Sequence, residues 1–177
     1  MNKFIVRFIG VLALDASIFE DIEADRGASL QAVAVVIAAA IGARIAALEL
    51  GIARTDSFIV AAIVALGAVM VWVTAVAALG TYALARPQTR SNMSELLRTV
   101  GFAAAPGVFL SLAALRTAAP LVVGVVLTWM IATTVIAVRQ SLDYVETWRA
   151  VAVCVLGALL SLGGIAGLIA IFGRNVS

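Results

Sequence analysis

The chain has no histidine and one cysteine, Cys154, among 177 residues. Without histidine there is no imidazole to ligate zinc or haem, to act as base for a serine or cysteine nucleophile, or to switch charge near neutral pH. One cysteine permits neither an intrachain disulfide nor a thiolate cluster. Charge is scarce too, at 12% of residues against the ~25% usual for globular chains. The twelve basic residues are scattered, which argues against a nucleic-acid surface. No carboxylate lies deep in an apolar stretch, so an intramembrane aspartyl protease and carboxylate-coupled ion transport are both disfavoured. There is no glycine-rich phosphate loop. We therefore expect no catalytic residue, no cofactor and no metal.

What the chain has in excess is apolar surface: 64% hydrophobic residues and a mean hydropathy of +1.15. A single soluble core of this size cannot bury that much, because surface grows too fast relative to volume. Lipid is the expected solvent. About 20 residues cross a ~30 Å hydrocarbon core, and five stretches qualify: 30–50, 58–85, 100–115, 120–138 and 150–173. The second has 28 residues without a charge and should tilt or project at one end. The third is short by itself. However, Asn92 and Glu95 form a cap signature, and Met93, Leu96, Leu97, Val100 and Gly101 make a helical stripe. A helix starting at Met93 extends this span to 93–115, and Pro106 within it predicts a kink.

The first 27 residues are a separate object. Phe4, Ile5, Phe8, Ile9 and Leu12 share one helical face, opposite Lys3 and Arg7. That pattern predicts an amphipathic helix in the membrane interface, Phe4 and Phe8 anchoring in lipid and Lys3 and Arg7 facing headgroups. A signal peptide is the rival reading, but Arg7 interrupts the apolar run, no A-x-A site follows and an acidic stretch comes next. Ser17 with Glu20 fits a capping box for a second short helix, with Ile18, Phe19 and Ile22 as anchors and Glu20, Asp21 and Glu23 facing water. The expected architecture is all-α: an integral membrane bundle of five helices over residues 28–177, preceded by interfacial helices over 1–27.

Basic residues give the orientation. Eight lie before span one, between spans two and three, and between spans four and five; the remaining four lie on the opposite side. The positive-inside rule places the N-terminus in the cytoplasm and the C-terminus outside, in what we expect is a bacterial cytoplasmic membrane.

Several residues are candidates for contacts. Arg44, inside span one, reads as a snorkelling side chain or as a functional charge. Cys154 reads as a small apolar residue of span five. Small residues recur every fourth position at Ala34, Ala38, Gly42 and Ala46, and at Gly124, Thr128 and Ala132. Span five offers Gly157 with Ser161, and Gly163 with Gly167. Such stripes let helix backbones approach, either within the bundle or against a partner. In the segment 139–149, Asp143, Tyr144, Glu146 and Arg149 suit a cytoplasmic docking surface, although aromatic anchoring explains Tyr144 and Trp148 equally well.

Three segments resemble the Yip (Ypt/Rab-interacting) family of multi-pass membrane proteins in its bacterial branch. Residues 94–106, where Arg98 precedes a Gly-x-Ala stretch ending at Pro106, are similar to the entry of that family's third span. Residues 141–153 are similar to the entry of its last span, and 12–25 to its cytoplasmic lead-in. The resemblance implies five spans, a cytoplasmic N-terminus and a non-enzymatic membrane role. The expectation is thus a scaffold or accessory subunit, with membrane lipids and either another integral membrane protein or a second copy as partners. The alternative is a small transporter or channel, with the Pro106 kink and the glycines of span five beside a solute path.

Overall fold

The computed structural model of the chain describes residues 2–52, 57–80 and 92–173, with side chains through residue 161 and at 163. Arg54, Arg86, Arg90, Arg174, Ser177 and the 81–85 end of the second span lie outside the described residues. The elements are α1 (Lys3–Leu12), α2 (Ala16–Ala24), α3 (Ala28–Glu49), α4 (Phe58–Ala78), α5 (Met93–Ala103), a 3₁₀ segment (Ala105–Ala114), a 3₁₀ turn (Arg116–Ala118), α6 (Ala119–Ser141) and α7 (Thr147–Gly173). The fold is all-α, with no strand among the described residues.

Four segments are long and apolar enough to cross a membrane: Ala28–Glu49, Phe58–Ala78, Met93–Ala114 and Arg116–Ser141. The described part of α7, Thr147–Ser161, is apolar as well. Ile59, Ile63, Val64, Leu121, Ile131 and Leu159 point outward, exposed. An apolar belt of this extent is stable only against lipid, and it makes the chain a membrane protein.

The helix starts follow the local chemistry. Asn92 caps α5, accepting from the Ser94 amide at 3.1 Å, while its own side-chain amide donates to Glu95 Oε1 at 3.1 Å. Ser57 caps α4, accepting from Val60 N at 3.3 Å. The cap of α2 corrects the sequence expectation: Asp15 rather than Ser17 takes that place. Its carboxylate accepts from the Ser17 amide at 3.0 Å and from the Ser17 hydroxyl at 2.8 Å. An ionised acceptor makes the stronger cap.

At Pro106 the chain changes helix type instead of kinking. Proline offers no N–H to the Phe102 carbonyl, and α5 ends at Ala103. Ten residues of 3₁₀ helix follow, an unusual length for a form with poorer hydrogen-bond geometry. Packing sustains it. Gly107, Leu110 and Ala113 are buried at the 3₁₀ period of three, against Ala39, Gly42 and Ala46 of α3. A Cβ on Gly42 would come within 2.5 Å of the Gly107 carbonyl oxygen, and one on Gly107 within 2.8 Å of Ala39 Cβ. Thr133 of α6, fully buried, donates to the Ala103 carbonyl at 2.7 Å and so satisfies an acceptor at the switch.

The buried residues of α3 are Ala28, Ala32, Val35, Val36, Ala39, Ala40, Gly42 and Ala46. Gly42 and Ala46 match the expected stripe, but Ala34 is exposed and Ala38 half-buried. A strict four-residue step drifts around a 3.6-residue helix, so steps of three and four alternate.

Candidate functional site

The N-terminal helices pack on the bundle. Phe19 and Ile22 of α2 are fully buried with Val11, Ala28, Phe102 and Ala137, and Phe4 lies 6.2 Å from the Phe102 ring, centroid to centroid. The Trp129 indole, midway along α6, donates to the Leu12 carbonyl at 3.1 Å. Arg7 locks the pair. It is 1% exposed, with Nε donating to Asp21 at 2.6 Å, Nη2 to Asp25 at 2.8 Å and Nη1 to Gln31 of α3 at 3.1 Å. Burial alone would ease its proton off, but the Asp21 and Asp25 hydrogen bonds outweigh that and raise its pKa. Asp25 is held below the usual carboxylate range by Arg7, and then by the Gly27 amide.

This corrects the lipid-anchoring expectation for Arg7, Phe4 and Phe8. Arg7 bonds two acids of the following segment, and both rings pack against the core. Lys3 stays exposed, and Ile5 and Ile9 form the outer apolar face of α1.

At the polar end of the bundle, α2, α5, the C-terminus of α6 and the 142–146 turn enclose an open cleft of about 490 Å³. Glu20, Glu23, Glu95 and Asp143 line it, with Arg139 as its cation and Gln140 and Tyr144 completing the wall. Each is placed by a local device. Asn92 sets the first turn of α5 and with it Glu95. Gln140 donates to Glu20 at 3.0 Å, tying α2 to α6. Asp143 takes a left-handed φ of 51°, which turns the chain sharply after α6. The Tyr144 amide then donates to the Arg139 carbonyl at 2.9 Å, and Arg139 Nε donates back to the Tyr144 carbonyl at 3.2 Å. The Glu23 carboxyl is raised above its ordinary pKa by desolvation, then by repulsion from Glu95 and Asp143. The cleft therefore favours a positively charged occupant. Among the described residues no group of acids has metal-binding geometry.

The residues read from segment 139–149 separate. Asp143 lines the cleft, exposed. Tyr144 belongs to the core with Val73, Val138 and Val153, its hydroxyl donating to the Gly80 carbonyl at 3.4 Å, and burial raises its pKa while Arg149 opposes the rise. Glu146 and Arg149 pair with each other at 2.8 Å, and the guanidinium lies 5.0 Å from the Trp148 ring centroid. Among the glycines, Gly42 and Gly157 are tight contacts, the latter with Val76 of α4 at 3.0 Å from a would-be Cβ. Gly163 and Gly124 meet open space. Gly167 lies beyond the described side chains. Arg44 is half-buried beside a second groove between α3 and α4, near Ser57 and Ala61.

Sequence reasoning passed over the polar groups inside the bundle. Thr99 and Ser141 share a buried hydrogen bond of 2.6 Å between α5 and α6. Arg98, 5% exposed, donates to the Glu23 carbonyl and so joins α5 to the end of α2. Arg98 stands off the apolar stripe of Met93, Leu96, Leu97, Val100 and Gly101, so helical periodicity carried no signal of its burial.

No protein-family model matches this chain, and no curated protein or solved structure is significantly similar to it.

Proposed function

We propose that this chain is a non-enzymatic scaffold or accessory subunit of the bacterial cytoplasmic membrane, in the manner of the Yip family it resembles. Its polar end faces the cytoplasm and receives a basic segment of another membrane protein. One observation carries this reading: four carboxylates from α2, α5 and the 142–146 turn surround a 490 Å³ cleft with a single arginine among them. Charges arranged this way steer and select a cationic partner more than they bind it tightly. A shallow cleft reached from the water side, beside an intact apolar bundle, suits docking rather than conduction.

The test is purification of the full chain in mild detergent with mass spectrometry of co-purifying proteins, repeated for Glu20→Lys with Asp143→Lys. The expected result is a stoichiometric membrane partner that the double variant loses while retaining its helix content. A lone species with solute flux in liposomes, insensitive to the double variant, would establish a transporter instead.

A further inference from the structure

A further concavity, distinct from the groove beside Arg44, opens sideways between α3, α4 and α5. It holds about 220 Å³ and is walled by Val33, Val36, Val69 and Leu97, with Ser29 and Arg98 at its polar end. It exists because α3 and α5 meet closely, a Cβ on Gly101 lying 2.9 Å from Ala32 Cβ. Meanwhile α4 turns Val73 and Val76 toward α5 and α7. A wedge is left along the apolar flank, where Val33 and Met70 are exposed.

Arg98 is incompletely satisfied. Its Nη2 is used on the Glu23 carbonyl, and Nη1 reaches the Ser94 hydroxyl only at 3.4 Å. Its Nε is buried with no hydrogen-bond partner, and no described ion pair includes it. Glu23, whose carbonyl Arg98 already bonds, feels its charge, but its carboxylate is not within ion-pair distance and lines the acidic cleft. A buried guanidinium with no carboxylate in direct contact is costly, and its fork geometry matches the oxygens of a phosphate.

We propose that this groove binds an anionic phospholipid, with one acyl chain between α3 and α4 and the phosphate against Arg98 and Ser29. A free phosphate ion would satisfy the arginine but leave the groove unfilled. A zwitterionic lipid would bring the same phosphate together with its own quaternary ammonium, and so would supply no net counter-charge to the arginine. The proposal depends on the chain lying in a membrane and not on any occupant of the acidic cleft.

Native mass spectrometry of the full chain in mild detergent tests it, by titration with phosphatidylglycerol and with phosphatidylcholine of the same acyl chains. At least tenfold stronger retention of phosphatidylglycerol is expected. Arg98→Gln should abolish that preference, and Val33→Trp, which fills the groove and keeps the guanidinium, should weaken retention at least tenfold at unchanged helix content. If Arg98→Gln does not fold, Val33→Trp decides alone. Equal retention of the two lipids, or full retention by Val33→Trp, overturns the proposal. Displacement of the lipid by equimolar sn-glycerol 3-phosphate also overturns it, because the site would then be one for the phosphate alone.

Discussion

At the scale of single residues, Arg7 shows how ion-pair chemistry overrides a face pattern. Its partners differ in exposure: Asp21 is 54% exposed while Arg7 is buried. Arg7→Met therefore leaves acids that water can solvate, and should cost about 2 kcal/mol through the lost charged hydrogen bonds. That corresponds to a thermal midpoint lower by about 4–8 °C at this chain length. Asp21→Asn with Asp25→Asn leaves the buried cation uncompensated and should cost more, although each change is chemically smaller. Thermal unfolding of both variants in one detergent checks the order. The pH dependence has two limbs. Asp25, with its pKa lowered by Arg7, contributes stability at neutral pH that is lost as pH falls through its folded-state value. Glu23, raised by desolvation, carries a penalty when ionised, which is relieved as pH falls through its raised value toward the ordinary one. Protection factors over α1 and α2, from exchange rates corrected for the intrinsic pH dependence of amides, should thus rise on mild acidification and fall in strong acid. Glu23→Gln should remove the first limb alone.

At the scale of elements, the 3₁₀ segment depends on backbone contact between α3 and residues 107–111. Gly42→Ala places a methyl against the Gly107 carbonyl at 2.5 Å, with the Val108 carbonyl oxygen and Ser111 amide close behind. Backbone cannot turn aside, so a loss of about 1–3 kcal/mol is expected. Gly163→Ala meets open space and should leave the thermal midpoint unchanged or slightly higher. Thr133→Val removes the donor to the Ala103 carbonyl, for which about 0.6 kcal/mol, and at most about 1.7, is the range for interhelical bonds in membranes. Thermal scans of the three variants rank them. If Gly42→Ala proves as harmless as Gly163→Ala, the close approach of α3 to the 3₁₀ segment is wrong.

At the scale of the whole molecule, the acidic cleft and the apolar belt divide the surface into a water-facing end and a lipid-facing wall. Reporter fusions before α1 and after α7 test the proposed orientation, with a cytoplasmic signal expected at the first and an external one at the second. Gly163 is a point of α7 at which a neighbour's backbone could approach, since none of the described residues occupies that space. Gly163→Leu should therefore lower any dimer fraction seen by cross-linking in detergent while leaving insertion intact. An unchanged dimer fraction would place self-association on another face.

The apolar runs, the scarcity of charge and the cap residue Asn92 were enough to specify an all-helical membrane chain and where α5 begins. These are local properties: the length of an apolar run against a bilayer, and an oxygen placed to accept the first free amides. Asp143 was legible as part of a polar cytoplasmic segment, and Glu20 and Glu23 as water-facing acids, but the grouping of these with Glu95 in one cleft was not. The four come from α2, α5 and the 142–146 turn, far apart along the chain, and only packing brings them together. The same holds for Arg7, whose lipid-facing appearance on a helical wheel gave way to two acids 14 and 18 residues later. It holds for Pro106 too, where proline stops the α-helix but the form that follows is chosen by the backbone of α3. Tertiary structure decided whatever depends on which surfaces meet: a helical period states which residues share a face, never what that face will touch.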